Sequence, residues 1–299
     1  MPAPLLAIDG PFVLYRSFFA LPDSITGAND QPVNALLGAT NLVLRIAADR
    51  SPRAIVVCFG AEAAKYRVAL YPGYHATRPP VPEALAWQFE QAPELFEAFG
   101  WSCISHDDLE ADDLLGSLAE AEAEAEAEAG SGGRAGGRAL ILTGDRDMYQ
   151  CATNHISVLY LKQGASGFEE VDPAEVRRRY GIGPELVPDF IALRGDPSDG
   201  LPGAPGIGAK TAASLLQRHG SLENVIAAAA AQRPRIAAAL TGSADDLRGF
   251  RDIATLRRAE IELPPDRATD LHAGAAAARR HGMNRLAERL EGANRLTDL

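Results

Sequence analysis

Five short apolar runs alternate with segments of helical spacing in the first part of the chain. Each run fits a buried β-strand, and the five are Pro4–Asp9, Ala54–Phe59, Trp101–Ser105, Ala139–Thr143 and Ile156–Leu161. Between them, leucine, valine and isoleucine recur at helical spacing, which predicts helices over Asn34–Ala48, Pro82–Phe99 and Ala111–Ala119. Strands that alternate with helices favour an α/β fold with a mainly parallel sheet. Such sheets carry their sites outside the carboxyl ends of the strands.

The pattern becomes all-helical from about Asp172. Helices are predicted over Pro184–Leu193, Ala209–Arg218 and Leu222–Ala231, with a loop rich in glycine and proline over Gly195–Gly208. We therefore predict an α/β core over residues 1–180 and a helical region over residues 181–299. The core contains an insertion at about residues 120–138. Its Ala-Glu repeat and Gly-rich half predict a helix that runs into a flexible surface loop.

Acidic residues are concentrated in one half of the chain. The 299 residues carry a formal net charge of −11, and 46% of them are apolar, which is enough for a buried core. Residues 1–180 contain 25 Asp and Glu against 14 Lys and Arg, whereas residues 181–299 contain 15 of each. A net charge of this sign at first argues against nucleic acid as a partner. Because the excess is local, bound cations would offset part of it.

Eight carboxylates stand in four short clusters at the predicted ends of strands or starts of helices. They are Asp9, then Glu110, Asp112 and Asp113, then Asp145 and Asp147, and finally Asp196 and Asp199. Taken singly, each cluster also fits helix-dipole or turn chemistry. Folding all of them into one pocket is costly unless cations enter too, and hard ions such as Mg²⁺ or Mn²⁺ take oxygen ligands. The combination indicates a metal-dependent enzyme that acts on phosphate esters.

A second motif, G-I-G-A-K-T over residues 206–211, predicts a tight turn before a helix. Gly206 and Gly208 allow the turn, and the free N–H groups of the helix start, with Lys210 and Thr211, suit a phosphate. The Gly-x-x-x-x-Gly-Lys spacing of a Walker A loop is missing. The motif fits a helix–hairpin–helix element that grips a DNA backbone regardless of sequence, although a plain helix–loop turn is the alternative.

The chain shows no sign of export. It lacks a signal peptide and any run of 18 apolar residues, so no membrane span is expected. Its three cysteines, Cys58, Cys103 and Cys151, have no paired or zinc-binding spacing. We expect a reduced, soluble, cytoplasmic protein.

Five stretches in this order resemble the 5′-nuclease family of flap endonucleases and 5′→3′ exonuclease domains of bacterial DNA polymerase I. They are I-D-G-P-F-V-L-Y-R-S-F, Y-P-G-Y-H-A-T-R, L-E-A-D-D-L, I-L-T-G-D-R-D-M-Y-Q and R-G-D-P-S-D-G-L-P-G-A-P-G-I-G-A-K-T-A. The resemblance extends from about Leu5 to the C-terminal region. Because no polymerase domain follows, the chain looks like a stand-alone member.

The resemblance implies a PIN-like core with a helical arch, followed by a helix–three-turn–helix region that binds DNA. It also implies hydrolysis of a phosphodiester near the junction of a 5′ single-stranded arm and duplex DNA, with two divalent ions about 4 Å apart. By family analogy, Asp9, Glu110 and Asp112 serve the first ion. The second ion or its waters are served by the remaining carboxylates, Asp113, Asp145, Asp147 and Asp199, with Asp196 beside it.

Further roles follow from the same resemblance. Tyr15, Arg67 and Arg78 match positions that line the DNA path or steer the scissile phosphate, and a K⁺ ion is implied in the turn around Gly206 and Gly208. The arch is expected from about Tyr74 to Gln91, where Trp87 and Phe89 either stack on bases or pack in the arch. We expect a monomer that works beside a DNA polymerase and a ligase.

Two positions depart from the family pattern. Gly60 replaces an aspartate of the first metal site, and His75 replaces a lysine that contacts the scissile phosphate; Gly200 also replaces a common asparagine. Glu62 lies two residues after Gly60, but nothing in the sequence shows that it compensates. We expect weak occupancy of the first site, a preference for Mn²⁺ and slow turnover, with His75 restoring some charge at lower pH.

These departures leave other functions open. One alternative is a protein that binds branched DNA but cuts it poorly, and a less favoured one is a PIN-type ribonuclease. The motif around Lys210 argues for contact with duplex DNA and against the ribonuclease. The survival of the other carboxylates argues against lost catalysis.

Overall fold

A six-stranded sheet forms the centre of the molecule. The computed structural model describes residues 3–128, 137–162 and 167–299. The strand order is β3-β2-β1-β4-β5-β6, and only the pairing of β5 with β6 is antiparallel. The strands are β1 (Leu5–Asp9), β2 (Ala54–Cys58), β3 (Ser102–Ile104), β4 (Ala139–Thr143), β5 (Ile156–Leu161) and β6 (Phe168–Val171). The predicted mainly parallel sheet is confirmed, whereas the sixth strand was not predicted.

The strands are continuous apolar runs because both faces of the sheet are covered. In β1, Leu5 and Ala7 belong to one apolar core, while Leu6 and Ile8 belong to the other, and all four side chains are fully buried. Side chains alternate between the faces of a strand, so a strand buried on both sides needs apolar residues throughout. The central strands are thereby fixed in register, which fixes the positions of the residues that follow them.

Helices form a layer on each face. One core packs against α1 (Gly10–Ala20), α2 (Asn34–Arg50) and α4 (Glu83–Ala98), with α3 (Lys65–Leu70) between β2 and α4 in the chain. The other core contains residues of α5 (Ala111–Glu128), α6 (Pro173–Tyr180), α7 (Val187–Arg194), α8 (Ala209–His219), α9 (Leu222–Ala227), α10 (Pro234–Gly242) and α11 (Ala244–Ala254). The predicted helices over both parts of the chain are therefore present, with bounds that differ by a few residues.

The last two helices, α12 (Leu271–Arg280) and α13 (Asn284–Glu291), return to the α/β core. An extended segment leads to them and is held to the core by hydrogen bonds from Arg267 N to Arg53 O (2.8 Å) and from Trp101 Nε1 to Thr269 Oγ1 (3.0 Å). The end of the chain therefore lies on the opposite face from α7–α11. The division at residue 180 stays a prediction, and residues 181–299 do not pack as one helical body.

The predicted insertion at residues 120–138 is described only in part. Helix α5 continues to Glu128, as the Ala-Glu repeat predicted, and residues 129–136 lie outside the described chain. Across the residues that the structure describes, no helix has both the length and the apolar character that a membrane crossing requires.

Candidate functional site

Asp9 marks the centre of the candidate site, because it ends the central strand β1 and caps helix α1. Its carboxylate accepts hydrogen bonds from Phe12 N (2.9 Å) and from Thr143 Oγ1 (2.7 Å) at the end of the neighbouring strand β4. Burial raises the pKa of Asp9, and the two hydrogen bonds, with the charge of Arg78, oppose that rise. The carboxylate is thus fixed where two parallel strands end side by side.

Three more carboxylates share the environment of Asp9. Burial, followed by the charge of Asp199, raises the pKa of Asp145 to about 7. Burial also raises the pKa of Asp147 well above its ordinary value, with Asp145 as the next cause. The pKa of Asp112, in the first turn of α5, is raised well above its ordinary value by burial and then by Asp145 and Asp9. A carboxylate of this set contributes to each of these three rises, so the four side chains lie in one electrostatic environment.

We call Asp9, Asp112, Asp145 and Asp147 the inner carboxylates. Within the described ranges, none of the four makes an ion pair with a lysine, arginine or histidine. Like charges that are partly removed from water repel one another strongly. The inner carboxylates are therefore a set of negative charges that the described part of the protein leaves without direct compensation.

Glu110 and Asp113 share one arginine. Arg67 pairs with Glu110 Oε2 (2.9 Å) and with Asp113 Oδ1 (2.8 Å), and its Nε donates to Ile253 O (3.0 Å). Glu110 also accepts from Tyr74 Oη (2.9 Å) and from a backbone N–H, and Asp113 accepts from Arg257 N (2.8 Å). Glu110 and Asp113 thus link the start of α5 to Tyr74, at the beginning of the predicted arch, and to Arg257 in the C-terminal region.

The role predicted for Arg67 on the DNA path stays a prediction. In the structure Arg67 is only 3% exposed, and its donors point to Glu110, Asp113 and Ile253. Asp113 is fully buried and is surrounded by protein donors, which favours a structural role. A metal role for Glu110 or Asp113 stays a prediction.

Asp199 contacts a histidine and an arginine from the turn at the base of the predicted arch. Its Oδ1 lies 3.1 Å from His75 Nε2 and 3.0 Å from Arg78 Nη2. Asp196 is paired within its own loop, with Arg194 Nη2 at 2.8 Å. We call Glu110, Asp113, Asp196 and Asp199 the outer carboxylates. Each of the four has a cationic partner supplied by the protein.

The donor set fits hydrated divalent ions. It consists of carboxylate oxygens, which suit Mg²⁺ and Mn²⁺ rather than softer metals. Within the described residues, no three His, Cys, Asp or Glu side chains converge closely enough to hold a metal ion unaided. Mg²⁺ in proteins usually keeps several waters. The inner carboxylates therefore fit an ion whose remaining ligands are water or a substrate oxygen.

Gly60, where the family pattern has aspartate, is closely packed. A Cβ atom there would lie 2.5 Å from Leu109 O and 2.6 Å from Ala111 N. The loop that carries Glu110 therefore lies against the backbone of Gly60, and a side chain does not fit unless the loop moves. Glu62 is exposed and acts on Tyr15, whose pKa is raised by burial and then by the charge of Glu62.

Helix α1, which begins directly after Asp9, carries a group of aromatic side chains. Tyr15 stacks with Phe19 at a ring-centroid distance of 6.4 Å and meets Phe89 edge-on at 5.6 Å. Phe89 and Trp87 are half-buried against the core, while Phe19 is 71% exposed. Phe19 was missed in the sequence, although its position four residues after Tyr15 places both on one helix face. Trp87 and Phe89 therefore pack against the protein, which is the second of the two alternatives given for them.

The glycine-rich turn precedes α8 as predicted. Gly206 has a φ of +79°, a left-handed conformation that favours glycine, and Gly208 caps α8 with no side-chain hydrogen bond. Lys210 is exposed and Thr211 half-buried in the first turn of the helix. The guanidinium of Arg235 lies 3.2 Å from where a Gly206 Cβ would be. Arg235 is a second cation at the turn, which the sequence pattern did not reveal because it comes from α10.

Comparison with known proteins agrees with this arrangement. The 5′-3′ exonuclease N-terminal resolvase-like domain matches residues 4–181, and the 5′-3′ exonuclease C-terminal SAM fold matches residues 182–274. The chain belongs to the 5′-3′ exonuclease family. The predicted family and fold class are thereby confirmed.

Relatives of this family member include a 5′-3′ exonuclease of Mycobacterium tuberculosis, 36% identical over 249 residues, which cover 77% of this chain and 74% of the relative. DNA polymerase I of the same organism is 35% identical over 256 residues, covering 85% of this chain and 27% of the polymerase. The thermostable DNA polymerase I of Thermus thermophilus is 34% identical over 291 residues, covering 96% and 32%. The chain thus spans about a third or less of these polymerases.

Solved structures show the same fold. A T5 5′-exonuclease described with bound zinc ions has a TM-score of 0.68 at 16% identity, with 97% of this chain and 98% of that chain covered. The catalytic core of Rad2, described in complex with DNA substrate, has a TM-score of 0.62 at 15% identity, covering 97% and 90%. At these identities the similarity shows the fold alone.

Proposed function

We propose that the protein is a metal-dependent, structure-specific 5′ nuclease that hydrolyses phosphodiester bonds in DNA at 5′ flaps and 5′ ends. The observation that carries this proposal is that Asp9 ends β1 beside Thr143 at the end of β4, with Asp145 and Asp147 directly after β4. Within the described residues these carboxylates have no ion pair, and the charge of Arg78 acts on Asp9. Negative charges of this density attract divalent ions, and the arginine suits the phosphate that such ions bind.

Each group has a physical task in the reaction. The inner carboxylates hold the ions, directly or through water, at the ends of β1 and β4. Divalent ions supply acidity to a bound water and stabilise charge on the attacking and leaving oxygens. Arg78, whose field reaches Asp9 and Tyr15, stabilises charge that builds on the phosphate. The turn before α8 binds the duplex backbone through Lys210 and Arg235.

A cleavage assay tests this function. Purified protein is incubated with a labelled 5′-flap DNA, its RNA counterpart and a blunt duplex, each with Mg²⁺ or Mn²⁺. We expect cleavage of the flap DNA that disappears in the Asp145→Ala/Asp147→Ala variant. Cleavage of RNA alone would instead favour a PIN-type ribonuclease.

A second candidate is a branched-DNA-binding protein with weakened catalysis. It is favoured by Gly60, because the loop carrying Glu110 fills the place where the family aspartate stands. Tight binding of flap DNA without cleavage in either metal would support it. The first candidate is preferred because the four inner carboxylates are all present and act on one another's charge.

Finer features belong to the same proposal. Mg²⁺ or Mn²⁺ are the proposed ions, with the first site weakly occupied, and K⁺ is proposed in the turn around Gly206 and Gly208. The proposed partner is DNA with a 5′ single-stranded arm, bound by a cytoplasmic monomer that works beside a DNA polymerase and a ligase. Metal titration of cleavage tests the first point, since saturation at low-micromolar Mg²⁺ would contradict weak occupancy.

A further inference from the structure

The loop that carries Asp199 is joined to the base of the predicted arch. We call residues 71–78 the arch-base turn. His75 N donates to Asp199 O at 3.1 Å, while His75 Nε2 and Arg78 Nη2 lie 3.1 and 3.0 Å from Asp199 Oδ1. A Cβ atom on Gly200 would lie 2.6 Å from Gly73 O, so the two backbones also touch. One aspartate thus anchors the arch-base turn to the C-terminal region.

His75 fixes the arch-base turn on two sides. Its Nδ1 lies 3.0 Å from Glu62 O and its Nε2 lies 3.1 Å from Asp199 Oδ1, so the ring bridges the loop after β2 and the loop that carries Asp199. The permanent positive charge at Asp199 comes from Arg78, whose Nη2 donates to Asp199 Oδ1 at 3.0 Å.

Arg78 is proposed to stabilise the scissile phosphate, and His75 replaces a lysine that contacts this phosphate in the family pattern. The Arg78 N–H that bonds Asp199 is not available to a phosphate at the same time, because a donor hydrogen serves one strong acceptor. In the same way, a divalent ion that approaches Asp199 is repelled by the Arg78 guanidinium already there. The contact therefore opposes both events in the DNA-free protein.

We propose that Asp199 is a positioning residue that exchanges partners when substrate binds: it releases Arg78 and His75 to the phosphate and accepts a divalent ion or its waters in their place. This inference rests on the proposed function. Each carboxylate and each phosphate keeps a cationic partner throughout, so no charge is left uncompensated by the exchange. The pairing also holds both side chains near the place where they are used.

The neighbouring carboxylate, Asp196, pairs with Arg194 and not with the arch-base turn. Asp196 lies in the same loop, but its cationic partner is two residues away in the chain, and its carboxylate also accepts from Ser198 N at 2.9 Å. Within the described part of the chain, its side chain has no hydrogen bond or ion pair with the arch-base turn. Asp196→Asn therefore removes the same charge from the same loop without releasing Arg78 or His75, which makes it a matched control.

Affinity for flap DNA in the absence of divalent ions tests the exchange. In EDTA, fluorescence anisotropy should show that Asp199→Asn binds about 5- to 10-fold more tightly than the wild type, within the usual range for coupled sites. Asp196→Asn should change the affinity by clearly less. In a His75→Gln/Arg78→Gln background, Asp199→Asn should bring no gain. Equal effects of the two Asn variants, or a gain that persists in that background, would overturn the proposal.

Mn²⁺ binding without DNA tests the exchange from the other side. Electron paramagnetic resonance should show tighter Mn²⁺ binding by Arg78→Gln, because Asp199 loses a competing cation. Arg146, which lies between Asp145 and Asp147 in sequence, donates to Tyr160 and to no carboxylate among the described residues. Arg146→Gln therefore removes a positive charge without freeing a carboxylate and should have a smaller effect. Equal effects of the two variants on Mn²⁺ affinity would overturn the exchange. The Mn²⁺ measurement contains no DNA, so it tests the exchange independently of DNA binding. Failure of the wild type to bind flap DNA would instead count against the proposed function.

Discussion

The inner and outer carboxylates lie at the same edge of one sheet but differ in how their charge is balanced. Each outer carboxylate contacts an arginine, and Asp199 contacts a histidine as well. Of the inner carboxylates, Asp9 accepts from a backbone N–H and a threonine, and Asp145 accepts from a backbone N–H. None of the four has an ion pair among the residues that the structure describes. The difference indicates that the fold neutralises half of its acidic cluster and leaves the other half to ions from solution.

The comparison also separates stability from function. A buried carboxylate with an arginine joins segments that are far apart in the chain, as Arg67 joins Asp113 to Ile253. A carboxylate without such a partner weakens the fold by repulsion and remains available to a ligand. Substitutions in the two sets should therefore have opposite effects on the stability of the metal-free protein.

The largest effect is expected from removing two inner charges. Asp145→Asn/Asp147→Asn should lower flap cleavage by about 10⁴-fold, since a catalytic ion supplies several kcal/mol of transition-state stabilisation. The same variant should be at least as stable as the wild type without metal, because repulsion is relieved. Single-turnover kinetics and thermal unfolding measure both. Asp108→Asn, an exposed aspartate paired with Lys65, is the control and should cleave normally.

Removing the cation of the outer set should mainly affect folding. Arg67→Met leaves Glu110 and Asp113 buried without their partner and should lower the free energy of unfolding by about 3–5 kcal/mol. Urea denaturation measures the change. Arg248→Met, which breaks an exposed network with Glu223 and Asp245, should cost much less. Similar decreases in the free energy of unfolding for the two variants would show that the buried network stabilises the fold no more than the exposed one.

The pH dependence of stability should follow the inner set. Asp145 has a folded pKa of about 7 against an ordinary value of 3.8, so between these values the folded state holds a proton that the unfolded state has lost. Stability of the metal-free protein should therefore fall as pH rises across this window, on the order of 2–4 kcal/mol. Saturating Mg²⁺ should restore stability at pH 8. Asp145→Asn should flatten the profile, and an unchanged slope would contradict the assignment.

The smallest effect concerns the departure at Gly60. Gly60→Ala should lower stability by about 1–3 kcal/mol, because a Cβ meets the backbone of Leu109 and Ala111. Gly249→Ala, in α11 with open space around it, should instead stabilise slightly. Gly60→Asp should not strengthen Mg²⁺ binding. Tighter Mg²⁺ binding by that variant in calorimetry would mean that the loop yields and the site is repaired.

The strand order and the place of the site follow from local patterns. Apolar runs ending in Asp9 and Thr143 predict strands that finish beside each other, and a carboxylate after such a run falls at the edge where ligands bind. The pairing of the carboxylates could not be predicted in this way. Arg67 and Arg78 reach Asp113 and Asp199 from distant positions in the chain, and no spacing rule connects them. The burial of Arg67, the close packing of Gly60 and the return of α12–α13 likewise depend on tertiary contacts.

Mn²⁺ affinity of the DNA-free protein tests most directly whether the inner set is where ions bind. We expect Asp145→Asn to weaken binding by at least about 10-fold, the loss typical when a metal site is disturbed. Glu110→Gln, whose carboxylate already serves Arg67 and Tyr74, should bind Mn²⁺ nearly as well as the wild type. Equal weakening by the two variants, or a greater loss with Glu110→Gln, would contradict the division of the carboxylates into a set held by the protein and a set left for ions.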